Sequence, residues 1–126
     1  MINMIDSRFL DSSVWLAYFL SSGENVRQTI ENEGVIYTSA LSILEIQRKL
    51  LRINVGAARS DMIFEFIRKR SIIVSVTDDI CYTAASLKLP AIDSLIYASA
   101  WKNNSHLFTC DNDFRAMKDV TVLSAN

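Results

Sequence analysis

Three aspartates stand where an apolar segment gives way to a helical pattern. Asp11 follows Phe9 and Leu10 and precedes Ser12, Ser13, Val14 and Trp15. Asp111 follows Leu107, Phe108, Thr109 and Cys110 and precedes Asn112, Asp113 and Phe114. Asp93 opens the run Ser94, Leu95, Ile96, Tyr97 and Ala98. Taken singly, each suits a helix N-cap, where a short carboxylate accepts a backbone N–H. Ser12 and Ser13 can cap the first helix without Asp11, however, and Asn112 can do the same after Asp111.

As a set, these acids suit a different chemistry. Carboxylates gathered within a few ångströms repel one another and raise their own pKa values. A cation relieves that repulsion, and oxygen ligands without His or Cys select Mg²⁺ or Mn²⁺ over zinc. Two such ions activate a water and stabilise the leaving oxygen of a phosphodiester. No general-base histidine is needed, and His106, the only one, is read as a surface residue in the turn before the strand at 107.

The elements that must position these residues are legible as an alternation of two patterns. β-branched or aromatic runs predict strands near 8–10, 35–38, 72–76, 107–109 and 121–123. Helical periodicity predicts helices near 13–20, 24–32, 41–53, 59–69, 78–88, 94–102 and, more briefly, 112–118. Strands separated by helices imply parallel crossovers and an α/β sandwich. In such a sheet every strand-to-helix junction lies along one edge, and ligands bind there at a switch in strand order. Asp11 and Asp111 meet if their strands are neighbours, and Asp93 and Glu45 can complete the group.

Glu45 belongs to the 41–53 pattern. Ile43, Ile46, Leu50 and Ile53 form its apolar stripe, with Leu44 and Leu51 beside it, and Glu45, Arg48, Lys49 and Arg52 share another face. This face is either a solvated one, with a Glu45–Lys49 pair worth about 0.3–0.5 kcal/mol, or an acid set beside phosphate-binding bases.

Composition narrows the classes. A chain of 126 residues, half of them apolar, fits one domain, 1–126, with a real core. Three glycines and one proline argue against an all-β fold. The net charge of −1 and pI of about 5.7 give no overall basicity for nucleic-acid binding. A local patch must supply it: Arg48, Lys49 and Arg52, or Arg68, Lys69 and Arg70. Cys81 and Cys110 are too few and too far apart for a zinc cluster and are expected to be reduced thiols in a cytoplasmic protein. The apolar run 14–20 is too short to span a bilayer, so no membrane association is expected.

With these residues in view, the chain resembles the PIN-domain proteins, and in particular the VapC-type toxins of bacterial and archaeal toxin–antitoxin pairs. Phe9 to Trp15 are similar to the family's opening strand, aspartate, hydroxyl pair and helix. The run from Ser39 to Glu45 and Ile46 resembles its second acidic element, Asp93 with the helix after it the third, and Thr109 to Phe114 the last. The resemblance implies a three-layer sandwich around a mostly parallel five-stranded sheet, and Mg²⁺- or Mn²⁺-dependent endoribonuclease activity. It also implies homodimerisation and inhibition by a small antitoxin. On this reading Asp11, Glu45, Asp93 and Asp111 are catalytic and bind metal, Asp113 is a further ligand or a first-turn acid, and Ser13, Arg48, Arg52 and Thr109 contact RNA.

The chain departs from the pattern in two places. The segment 87–92 is shorter than the family leads one to expect, and residues 1–7 extend beyond its usual start, with Asp6 a rival first aspartate. Two other readings compete. A PIN-like interaction module would keep the fold with an idle site. A receiver-like phosphotransfer domain wants an adjacent acidic pair after the first strand and a late lysine, and this chain has Asp11 alone and nothing basic after Lys118. Neither glycine fingerprint of dinucleotide or P-loop folds is present.

Overall fold

Every expected strand forms, and parallel pairing fixes where the acids go. The computed structural model describes residues 6–21 and 23–125, so most of the N-terminal extension, 1–5, lies outside the described residues. The strands are β1 (Ser7–Leu10), β2 (Val35–Ser39), β3 (Ile72–Val74), β4 (His106–Thr109) and β5 (Val120–Val122). The helices are α1 (Ser12–Leu20), α2 (Glu24–Glu31), α3 (Ala40–Arg52), α4 (Ala57–Arg70), α5 (Asp78–Ala84) and α6 (Ala91–Lys102), with a 3-10 turn at Asn112–Phe114.

The sheet order is β3-β2-β1-β4-β5, and all four pairings are parallel. The chain moves outward from β1 to β3 through α1–α4, then returns across β2 and β1 to β4 through α5 and α6. Right-handed crossovers in these opposite directions require helices on opposite faces. The alternation along β1 agrees. Leu10 packs with Val14, Trp15, Ile46 and Leu50 on one face, and Phe9 with Ile96, Leu107 and Phe114 on the other. The result is the three-layer sandwich, with β1 at the switch between β2 and β4.

Some boundaries differ from expectation for local reasons. Helix α6 begins at Ala91 because Pro90 serves as its N-cap, where a missing N–H costs nothing. Helix α5 stops at Ala84 and β3 at Val74. The pattern at 112–118 yields only one 3-10 turn, since the chain must cross back to β5 by 120 and turns through Asp119 at φ +58°.

The aromatic side chains of α1 pack against α4, with Tyr18 and Phe19 half-buried there. Trp15 is fully buried, its Nε1 donating to Thr38 Oγ1 at 3.1 Å. Trp15, Tyr18 and Phe19 all pack against Phe66 of α4, leaving Leu20 the exposed member at 39%.

The edge opposite the strand C-termini is built from arginines. Buried Arg8 donates to the carbonyls of Thr29, Asn32 and Glu33, and faces Asp6 at 3.5 Å. Arg70 donates to Ile30 O at 2.7 Å, Asn32 O at 2.8 Å and Gly34 O at 3.2 Å. These groups satisfy the carbonyls that the end of α2 leaves without partners. The basic run Arg68, Lys69 and Arg70 is therefore at the wrong edge to serve the acids, and Arg70 is structural. Asp6, the rival first aspartate, is at this edge too.

Gly34 closes the same corner at φ +136°, and a Cβ there would press on the Arg8 guanidinium and lie 2.9 Å from Asp6 O. Gly34→Ala is expected to cost about 1–3 kcal/mol, from the strained φ and the displaced arginine. Urea unfolding of the two proteins measures it; a cost within experimental error would show that the corner relaxes freely.

Candidate metal centre

The register between β1 and β4 places Leu10 opposite Phe108, and the Asp11 N–H donates to Phe108 O at 3.0 Å. Asp11 thus lies beside Thr109. It holds the N-cap position of α1 but makes no side-chain cap bond. Instead its Oδ2 accepts from Ser13 Oγ at 2.7 Å and Thr109 Oγ1 at 2.8 Å. Both hydroxyls are anchored in turn: Ser13 Oγ accepts the Cys110 N–H at 2.9 Å and Thr109 Oγ1 the Asp111 N–H at 3.0 Å.

Glu45 comes from α3, which Ser39 caps at the end of β2 by accepting the Leu41 N–H at 3.1 Å. Its Oε1 accepts from Ser12 Oγ at 3.0 Å, and among the described residues it forms no ion pair with Lys49. Asp93 sits in the first turn of α6 rather than at its cap, and no side-chain cap bond forms there. Asp111 does cap, accepting the Asp113 N–H at 2.9 Å. Asp93, Asp111 and Asp113 each offer a carboxylate oxygen, and these oxygens all lie within 4.8 Å of one another.

Electrostatics ties the remaining acids to this trio. Burial first, and then Asp111, Asp11, Asp113 and Glu45 in turn, push Asp93 up to about 6. Burial also raises Glu45, with Asp11 adding to the effect and the Ser12 hydrogen bond opposing it. Among the described residues no Lys or Arg is paired with any of the five. An all-carboxylate set, crowded and without a cationic side chain, fits a hard oxygen-seeking ion such as Mg²⁺ or Mn²⁺.

The structure groups Asp93, Asp111 and Asp113 directly, with Asp11 linked to Asp111 through Thr109 and Glu45 near enough to act on Asp93 electrostatically. Arg48 and Arg52 are exposed on α3, about 4.5 and 10.5 Å beyond Glu45 along the helix axis. Ser13 and Thr109, expected to contact RNA, turn their hydroxyls to Asp11, and Thr109 is fully buried. His106 is the first residue of β4, not a turn residue. It is half-buried against Phe108, with Nε2 2.7 Å from Thr121 Oγ1. Sequence reasoning missed the link from Ser12 to Glu45; the hydroxyl pair after Asp11 was visible but read as helix caps.

Residues 8–120 match the PIN domain family, and the chain belongs to it. Solved structures share the fold across nearly the whole chain. One is a toxin–antitoxin complex from Klebsiella pneumoniae, with a TM-score of 0.75 at 18% identity, covering 91% of this chain and 96% of that one. A second is Mycobacterium tuberculosis VapC20, a sarcin–ricin-loop-cleaving toxin, with a TM-score of 0.71 at 20% identity, covering 91% and 98%. A third is VapBC2 from Rickettsia felis bound to a promoter DNA fragment, with a TM-score of 0.74 at 13% identity, covering 93% and 97%. No curated protein sequence matches the chain.

Proposed function

We propose that the protein is a Mg²⁺- or Mn²⁺-dependent endoribonuclease, a hydrolase of RNA phosphodiester bonds acting as the toxin of a toxin–antitoxin pair. The observation that carries this reading is the convergence of the five acids at the switch point of the sheet, with no cationic side chain paired to any of them among the described residues. Asp11, Glu45, Asp93 and Asp111 are the catalytic acids, and together with Asp113 they hold the cation. When bound, the cation supplies a Lewis acid and an activated water at neutral pH. Binding requires deprotonated ligands, so metal uptake is expected to weaken as the pH falls through about 6 and Asp93 takes up a proton.

RNA as the substrate is supported by the neighbour described as cleaving the sarcin–ricin loop. A small antitoxin partner is supported by the neighbour described as a toxin–antitoxin complex. No helix among the described residues is long and apolar enough to cross a membrane. A cytoplasmic location and a homodimer belong to the same reading, and sedimentation of the isolated chain tests the second. The whole reading is tested by incubating purified protein with total RNA in Mg²⁺, Mn²⁺ or EDTA and mapping the cut ends. Discrete cuts that require metal are expected; intact RNA under every condition would favour an interaction module with an idle site.

Arg48 and Arg52 are proposed to hold RNA phosphates beside the centre. Replacing both with Ala is expected to weaken RNA binding and flatten its salt dependence by about 0.7 in slope per lost contact. Binding titrations over a salt series read this directly. An unchanged slope would return the two residues to a solvated face.

A further inference from the structure

We propose that the cleft at the C-terminal end of α6, walled by Tyr97 and Trp101 and edged by Asn104, His106, Lys118 and Asp119, takes an unpaired nucleotide of the RNA strand being cleaved. The inference rests on the nuclease reading above and concerns where that strand is held away from the cut.

The cleft and the acids share one side of α6. Asp93, Tyr97 and Trp101 are spaced by four residues, so they follow one slowly turning face of the helix. Trp101 lies about 12 Å beyond Asp93 along the axis, a span of a few nucleotides. The segment from Asp113 to Lys118 runs beside the same face. Asp113 is grouped with Asp93 at one end, and Tyr97 Oη donates to Lys118 O at 2.9 Å nearer the other. A strand cut at the acids can therefore continue along this side to the cleft.

The lining suits an unpaired nucleotide. The cleft holds about 340 Å³, within the range of small-molecule sites. Trp101 is 59% exposed, and its indole offers a flat surface on which any base can stack. Lys102 restrains that ring, with Nζ 5.6 Å from the ring centroid and 2.8 Å from Asp79 Oδ2. Lys118 is exposed and forms no ion pair among the described residues, which leaves its ammonium for a phosphate. The Asn104 side chain is exposed too, and the Asp119 carboxylate is close enough to Tyr97 to add to the effect of burial in raising its hydroxyl. An amide and a carboxylate together supply the donors and acceptors that read a base edge. Stacking combined with edge contacts is how single-stranded RNA is recognised. A chain of net charge −1 has no general attraction for RNA, so local anchors of this kind must supply the hold.

The test uses the full chain in EDTA at low salt with a labelled single-stranded adenosine octamer. The chain has two tryptophans, and Trp15 is fully buried, so quenching of the accessible emission reports on Trp101. Quenching by the octamer is expected. Trp101→Ala should raise the dissociation constant read by anisotropy about tenfold, the size of one lost base stack. Trp101→Phe keeps a ring and should retain most of the affinity, and Lys118→Ala should lower the salt slope by about 0.7. Melting curves check that each variant is folded and still gains stability from Mn²⁺. Adenosine monophosphate should bind far more weakly than the octamer; equal affinity would make this a site for free nucleotides and overturn the RNA assignment. Trp101 emission that shifts to the blue with protein concentration alone would mean that a second copy covers the ring, and would overturn it as well. So would an octamer that does not bind, or one that binds folded Trp101→Ala and Lys118→Ala as it binds wild type. The nuclease reading is judged separately, by metal-dependent cutting of total RNA.

Discussion

Asp11→Asn, Glu45→Gln, Asp93→Asn and Asp111→Asn are each expected to lower RNA cleavage at least about a hundredfold, because each removes a charged ligand from the cation that activates water. The variants are chosen to spare the fold. An asparagine at 11 keeps an oxygen able to accept from Ser13 and Thr109, and a glutamine at 45 keeps one for Ser12. Asp93 makes no cap bond, so Asp93→Asn breaks none. Asn caps about as well as Asp, which protects the turn after Asp111. Single-turnover cleavage at saturating Mn²⁺, alongside a melting curve for each protein, separates chemistry from stability. Two of the four retaining near wild-type rates would mean that the centre is misassigned.

The same acids should weaken the metal-free protein, and Asp93 shows it most. Its carboxyl is pushed from an ordinary 3.8 up to about 6, first by burial and then by the acids around it. A carboxyl with a raised folded pKa holds its proton more tightly when folded. Its contribution is fully present below about pH 3.8 and is lost as the pH rises through about 6, leaving the ionised group a burden at pH 7. The displacement corresponds to about 3 kcal/mol, and partial exposure screens it to about 1–2 kcal/mol. In EDTA at pH 7, Asp93→Asn is therefore expected to be more stable than wild type by about 1–2 kcal/mol, with the advantage nearly gone at pH 4. Mn²⁺ at roughly a hundred times its dissociation constant should stabilise wild type by about 2.7 kcal/mol and the variant much less, reversing the order of melting. Equal melting in EDTA and in Mn²⁺ would make Asp93 an ordinary first-turn acid.

The fold was legible because hydrophobic period and element order are local properties. Five β-branched runs alternating with helices left few topologies open, and chain direction then put Asp11 and Asp111 on one edge. The hydrogen bonds that aim the carboxylates were not legible, because they depend on register. Only the pairing of Leu10 with Phe108 brings Thr109 against Asp11. The arginines divide for the same reason. Arg52 and Arg70 look alike in sequence, but α4 ends at the edge away from the acids, where the carbonyls at the end of α2 draw Arg70 in. Asp93 looked like a helix cap because Pro90 hid the true start of α6 two residues earlier.

The claim that these acids are a metal centre is tested most directly by crystals grown with Mn²⁺ and measured at the manganese absorption edge. The expected result is an anomalous peak bounded by Asp11, Glu45, Asp93 and Asp111, with carboxylate oxygens at about 2.0–2.2 Å from it, near the Mg²⁺–oxygen distance. Under the same conditions the peak should vanish in Asp93→Asn or Asp111→Asn. Full-occupancy Mn²⁺ elsewhere on the chain, with none between these carboxylates, would contradict the account.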